Sequence, residues 1–131
     1  MAFGTLKADT LTHSTAGSVT TNYVVESIPK AFFQADLEES GGPVVEQSIN
    51  ISSITDVQSG QHDFTYTSSF AQRTYACVTG GGGSIANNTL ANVATSTAGK
   101  LTSKVRADTQ YAHTTVFNPP ECAIASIGDL A

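Results

Sequence analysis

The chain has no tryptophan, one methionine and two cysteines, and charged residues fill only 13% of its 131 positions. Each shortage closes off a class of function. Cys77 and Cys122 form no C-x-x-C pair, so the thiolate spacing of a zinc site is missing. Both lie in apolar, strand-like surroundings, Tyr75-Ala76-Cys77-Val78 and Glu121-Cys122-Ala123-Ile124. Free buried thiols are expected there, with a disulfide left open by sequence alone. Six basic residues against eleven acidic ones leave a net charge of −5. That balance cannot supply the clustered positive patch that phosphate neutralisation requires, so no nucleic-acid partner is expected. No apolar run approaches the ~20 residues that span a bilayer, and no membrane insertion is expected. The first residues lack the basic segment and apolar run of a secretory signal, so synthesis in a cytoplasm is expected. The sequons Asn50-Ile51-Ser52 and Asn87-Asn88-Thr89 then read as chance matches.

What replaces charge is serine and threonine, beside a hydrophobic content of 40% that suffices for a modest core. The dominant period is two. Ala31, Phe33, Ala35 and Leu37 share one face of residues 30–37; Val45, Ile49 and Ile51 share one of 45–51, with Gln47 as the exception. Phe64 and Tyr66 alternate with Asp63, Thr65 and Thr67, and Leu101, Val105 and Ala107 with Thr102, Lys104, Arg106 and Asp108. This is the pattern of strands with one buried and one wet face. Gly41-Gly42-Pro43, Ser59-Gly60-Gln61 and Asn118-Pro119-Pro120 punctuate the runs as turns, the second as a hairpin. No segment of ten or more residues shows helical spacing with caps. The expected fold is all-β: an antiparallel, jelly-roll-like β-sandwich over residues 28–131.

Two stretches depart from the pattern. Residues 1–27 are strand-like but poor in large apolar side chains, and read as an extended arm. Such an arm cannot bury its apolar side alone. Three arms wound together bury Leu6, Ala8, Leu11 and Val19 against one another, at roughly 25 cal/mol per Å² of apolar surface, and remove exposed strand edges. A homo-oligomer, specifically a trimer, is expected. The second stretch, 79–99, begins with four glycines and reads as a long irregular loop, the kind of segment that often carries function.

Residues able to do chemistry are dispersed. Gly80–Gly83 lacks the lysine of a phosphate-binding loop and no βαβ unit follows. His13, His62 and His113 have no metal-ligand spacing; in a threefold fibre, His13 or His113 of each chain would converge on the axis. No G-x-S-x-G elbow is present. Acidic residues such as Glu46 and Asp63 offer many pairings for glycoside cleavage, with nothing to select one. No catalytic residue, cofactor or resident metal is therefore expected. Phe64, Tyr66, Phe70 and Tyr75 read as core by their alternation. Gly81, Gly82, Ser84, Asn87, Asn88 and Tyr111 are the candidate contacts for a receptor, since an irregular glycine-rich loop and a tyrosine in a threonine-rich strand suit a recognition surface.

Several of these runs resemble the small tail-fibre proteins of bacteriophages, marine ones especially. Gly4-Thr5-Leu6-Lys7-Ala8-Asp9-Thr10-Leu11, followed by Ser14-Thr15-Ala16-Gly17, looks like their short shaft segment. Lys30-Ala31-Phe32 resembles their Lys-Ala-Trp, with Phe32 in place of the usual tryptophan. Ser48-Ile49-Asn50-Ile51-Ser52-Ser53-Ile54-Thr55 and the run from Gly60 to Ala76 are similar to two further motifs, as is the ending Ile127-Gly128-Asp129-Leu130-Ala131. Residues 79–120 carry no such likeness. The resemblance implies a trimeric virion protein of the tail fibre or tail tip, joined to other virion proteins by its N-terminal arm, and touching a host-surface saccharide or protein with its distal domain. The alternative is a capsid decoration or head-fibre protein with a purely structural role.

Overall fold

The computed structural model describes residues 8–14, 17–38, 40–82, 89–93, 98–111 and 115–131. Its elements are β1 (Thr10–His13), β2 (Gly17–Thr20), α1 (Thr21–Ser27), β3 (Ala31–Asp36), β4 (Val44–Ile49), β5 (Ile51–Gln58), β6 (Gln61–Tyr66), β7 (Ala76–Gly82), β8 (Thr89–Val93), β9 (Lys104–Tyr111), β10 (Thr115–Val116) and β11 (Glu121–Ile127). Strands β4-β3-β11-β7 form one antiparallel sheet. The second has β5, β6 and β9 side by side, with β10 extending the β6 edge of β9 and β8 on its other edge. The expected two-sheet antiparallel sandwich is present.

The alternation in the sequence decides which side chains enter the space between the sheets. Ala31, Phe33 and Ala35 of β3, Cys122, Ile124 and Ser126 of β11, and Phe64 and Tyr66 of β6 all point inward and are buried. Phe33 stacks on Phe64 across the sheets, with ring centroids 3.4 Å apart and planes 8° from parallel. At one end Tyr66, Phe70 and Tyr75 pack ring on ring, Tyr66–Phe70 edge-on at 4.9 Å and Phe70–Tyr75 stacked at 4.3 Å. Their hydroxyls reach partners, as buried tyrosines require. Tyr66 Oη and Ser126 Oγ are 3.0 Å apart, and Tyr75 Oη donates to the Leu101 and Lys104 carbonyls at 3.0 and 3.1 Å.

Three expectations are corrected. The 45–51 run is not one strand but two, in different sheets. Asn50 takes a left-handed backbone (φ 58°), which asparagine tolerates better than other side-chain-bearing residues. Its amide holds the corner by bonding both backbone groups of Ser68, accepting at 2.6 Å and donating at 2.9 Å. The stretch 79–99 is also not simply a loop. β7 runs through Gly82, because β11 offers a ladder from Ile127↔Ala76 to Glu121↔Gly82, and β8 pairs with β9. Finally, the described part of the N-terminal segment is not an extended arm. Gly17 (φ 88°) helps turn it back as a β1–β2 hairpin, with α1 after it. Among the described side chains, the buried core begins at Ala31 and includes none from the hairpin or the helix.

Candidate binding surfaces

The two outer faces of the sandwich differ. On the second sheet, Asp63 sits opposite Arg106 and accepts from its Nε at 2.6 Å and Nη2 at 3.0 Å, and from Lys104 Nζ at 2.5 Å. Burial pushes the Asp63 carboxyl up, but the bonds and charges of Arg106 and Lys104 outweigh it and hold the group below its ordinary value. Asp108 follows on the same face, raised by its own burial. Gln61 and Asn92 flank it on the neighbouring strands. The outer face of this sheet is charged, and its central carboxylate, Asp63, is buried beneath the two basic side chains that pair with it.

On the first sheet, Phe32 of β3 lies between Ile49 of β4 and Ala125 of β11, and Ala125 pairs on with Val78 of β7. That apolar row crosses all four strands. The next row is Gln47, Gln34, Ala123 and Gly80, also without charge. The sequence had shown the inward face of β3 but not this one, because Ala31-Phe32-Phe33 places large apolar groups on both sides of one strand. The double phenylalanine was the available signal.

A cleft of about 420 Å³ opens where α1 approaches the end of β11. Glu26, Gln72, Thr74 and Asp129 give it carboxylate, amide and hydroxyl groups, and Tyr75 and Gly128 lie along its wall. The cleft is about half open to solvent and its lining is mixed polar and apolar. The alternation of the sequence places Tyr75 in the core, where its ring is, while the other four come from three separate segments that no local pattern joins.

His62 is fully buried on the inward side of β6, and neither ring nitrogen has a hydrogen-bond partner. Burial lowers its proton affinity below the ordinary 6.5, and the Asp56 carboxylate, 3.6 Å from Nε2, opposes this in part. The unfolded chain therefore takes up the proton first. The stability contributed by neutral His62 is present above pH ~6.5 and is lost as pH falls below it. Denaturant titrations at pH 7 and pH 5 are expected to show lower stability at pH 5, and His62→Leu to reduce that difference. Because two orphaned nitrogens are removed, the variant should also gain about 1 kcal/mol at pH 7. An unchanged pH dependence would assign the acid sensitivity to other groups. The two thiols are free. Burial raises both, Cys122 to about 12, so neither is poised as a nucleophile. Among the described residues, no group of three His, Cys, Asp or Glu side chains is placed to hold a metal ion.

The candidate receptor contacts are not brought to one place that can be described. Gly81 and Gly82 end β7. Tyr111 ends β9, between Thr89 and Thr115. Ser84, Asn87 and Asn88 lie outside the described residues, as does Leu6 of the expected oligomer interface and His113. Ala8 is half-buried ahead of β1. Leu11 and Val19 are cross-strand partners in the hairpin, and both are exposed. Comparison with family models, curated proteins and solved structures finds no match to this chain.

Proposed function

We propose that this chain is a structural protein of a bacteriophage virion, a subunit of the tail fibre or tail tip that assembles as a homotrimer and presents its sandwich to the host surface. The observation that carries the proposal is the N-terminal hairpin. It pairs Leu11 with Val19, leaves both exposed, and none of its described side chains enters the core of the sandwich. A two-stranded hairpin is marginal by itself in water, and sister copies offer the apolar surface it lacks. The resemblance of the shaft-like, Lys-Ala-Phe and hairpin runs to phage tail-fibre proteins supplies the biological setting. A saccharide on the host is the favoured receptor, bound weakly at each head and strengthened by valency.

Light scattering on the purified full-length chain tests the assembly. Three times the 13.6 kDa chain mass is expected, and a monomer at micromolar concentration ends the proposal. For the receptor, replacing Asn87 and Asn88 with alanine is expected to leave the thermal transition unchanged and to weaken binding of the protein to host cells. Unchanged binding moves the contact away from those asparagines. A capsid decoration protein would share the build but not the place, so gold-labelled antibody at the tail of intact particles supports the fibre, and label on the capsid overturns it.

A further inference from the structure

We propose that the outer face of the β4-β3-β11-β7 sheet is where copies of this chain meet, three of them turning these faces inward to close a prism. This rests on the trimeric reading above and names the surface that reading leaves open.

Four observations converge on it. The apolar row Ile49, Phe32, Ala125 and Val78 and the uncharged row beside it occupy the middle of the face. Charged groups lie at its margins: Lys30 before β3, Asp36 and Glu121 at the other end of β3 and β11, and exposed Glu46 at the bulge of edge strand β4. The other sheet of the same molecule carries Asp63, Lys104, Arg106 and Asp108 on its outer face, so the two faces differ in charge. A neutral middle with a charged margin is the anatomy of an interface. It also keeps the −5 charge of each copy away from the axis.

Next, the two most exposed large hydrophobic residues among those described, Val78 at 62% and Ile49 at 61%, sit in the same row on the two edge strands. In a closed ring of identical copies, one edge of each copy meets the opposite edge of the next. Ile49 of one copy then covers Val78 of its neighbour, and both open sheet edges are protected.

Gly80 supplies a third observation. A side chain built there would meet no atom within 4 Å, and its backbone is not left-handed. Glycine in a strand interior weakens the strand and commonly marks close approach by another backbone. Among the described residues, nothing makes that approach. A neighbouring copy at the corner of the prism does.

The dimensions decide the number. Four strands at ~4.8 Å make a face ~19 Å wide, and an equilateral triangle of that side has an inner radius of ~5.5 Å. Side chains facing one another between packed sheets fill about half of the ~10 Å sheet spacing, ~5 Å each. Three faces therefore fill their own centre. Four would leave an axial hole, and a stacked pair would leave the β4 and β7 edges open.

The test uses the full-length chain and light scattering over a dilution series, with circular dichroism to verify folding. Wild type is expected as a trimer. Ile49→Lys and Val78→Glu, made singly, are each expected to raise the dissociation concentration by roughly tenfold or more, the scale of a charge buried without its partner. The double variant I49K/V78E recovers much of the loss, because each copy's basic position faces its neighbour's acidic one. Gly80→Leu has room in the isolated chain, so its melting temperature holds while association weakens. Val57→Glu, on the other sheet, leaves the trimer as it is. A monomeric wild type overturns the trimeric reading itself. A trimeric wild type that all three single variants leave unchanged overturns only this inference and assigns assembly to the hairpin. A dimeric wild type overturns the prism.

Discussion

Phe33→Ala is expected to lose most of the stability of the sandwich, about 3–5 kcal/mol out of the ~5–15 kcal/mol that holds a typical domain together. The ring is buried to 1% exposure and lies flat on Phe64 of the opposite sheet. Removing it opens a cavity between two sheets whose backbones are fixed by their ladders, so the site cannot collapse around the gap. The lost stack adds to the lost burial. Urea unfolding followed by circular dichroism measures the change. Phe32→Ala is the companion, one residue along the same strand but on the outer face, and in the dissociated chain it should cost much less. Equal losses would mean that the interior stack is not what joins the sheets.

Gly128→Ala is the second large expected effect, though it adds only a methyl group. The new Cβ would lie 2.7 Å from Tyr75 Cβ and 3.2 Å from Tyr75 Cα. Neither atom can swing aside, because both belong to the base of the side chain and its backbone. Tyr75 is in turn held by its hydroxyl bonds to the Leu101 and Lys104 carbonyls and by the Phe70 ring. Its backbone carbonyl also accepts from Lys100 Nζ, whose ammonium lies over the ring at 4.6 Å. The strain has to be taken up by moving the strand end or the aromatic cluster, at about 1–3 kcal/mol. The melting temperature should fall by roughly 5 °C or more. Gly41→Ala is the matched control, since a side chain at Gly41 meets nothing within 4 Å and its φ is not positive. A normal melt for Gly128→Ala would show that the β11 end is free to shift, and would weaken the description of the adjoining cleft as a formed site.

Much of the sandwich could be read before any coordinates. The small-large alternation Ala31, Phe33, Ala35, Leu37 pointed to an inward face, and all four side chains are buried. Ser59-Gly60 pointed to the β5–β6 hairpin, where Gly60 takes φ 74°. Phe64, Tyr66, Phe70 and Tyr75 pointed to the core and form it. The binding surfaces were less legible. Gly80, Gly81 and Gly82 look irregular in isolation, since glycine carries no strand preference of its own. Only the ladder offered by β11, some forty residues later, makes them a strand. The cleft was invisible for the same reason: Glu26, Gln72 and Asp129 are distant in sequence and meet only when the β11 end packs beside Tyr75.

The division follows from the range of the interactions. Alternation, turn residues and charge are local, and they alone determined that this chain is an antiparallel β protein with a mixed aliphatic and aromatic interior and an acidic net charge. Tertiary structure decided what local signals do not encode: that Asn50 sends one alternating run into two sheets, that the N-terminal strand residues double back as a hairpin, and that one outer face is charged while the middle of the other is neutral. Each outcome depends on which strands become neighbours, and strand neighbours are chosen by the burial of the whole sandwich, not by any single stretch of it.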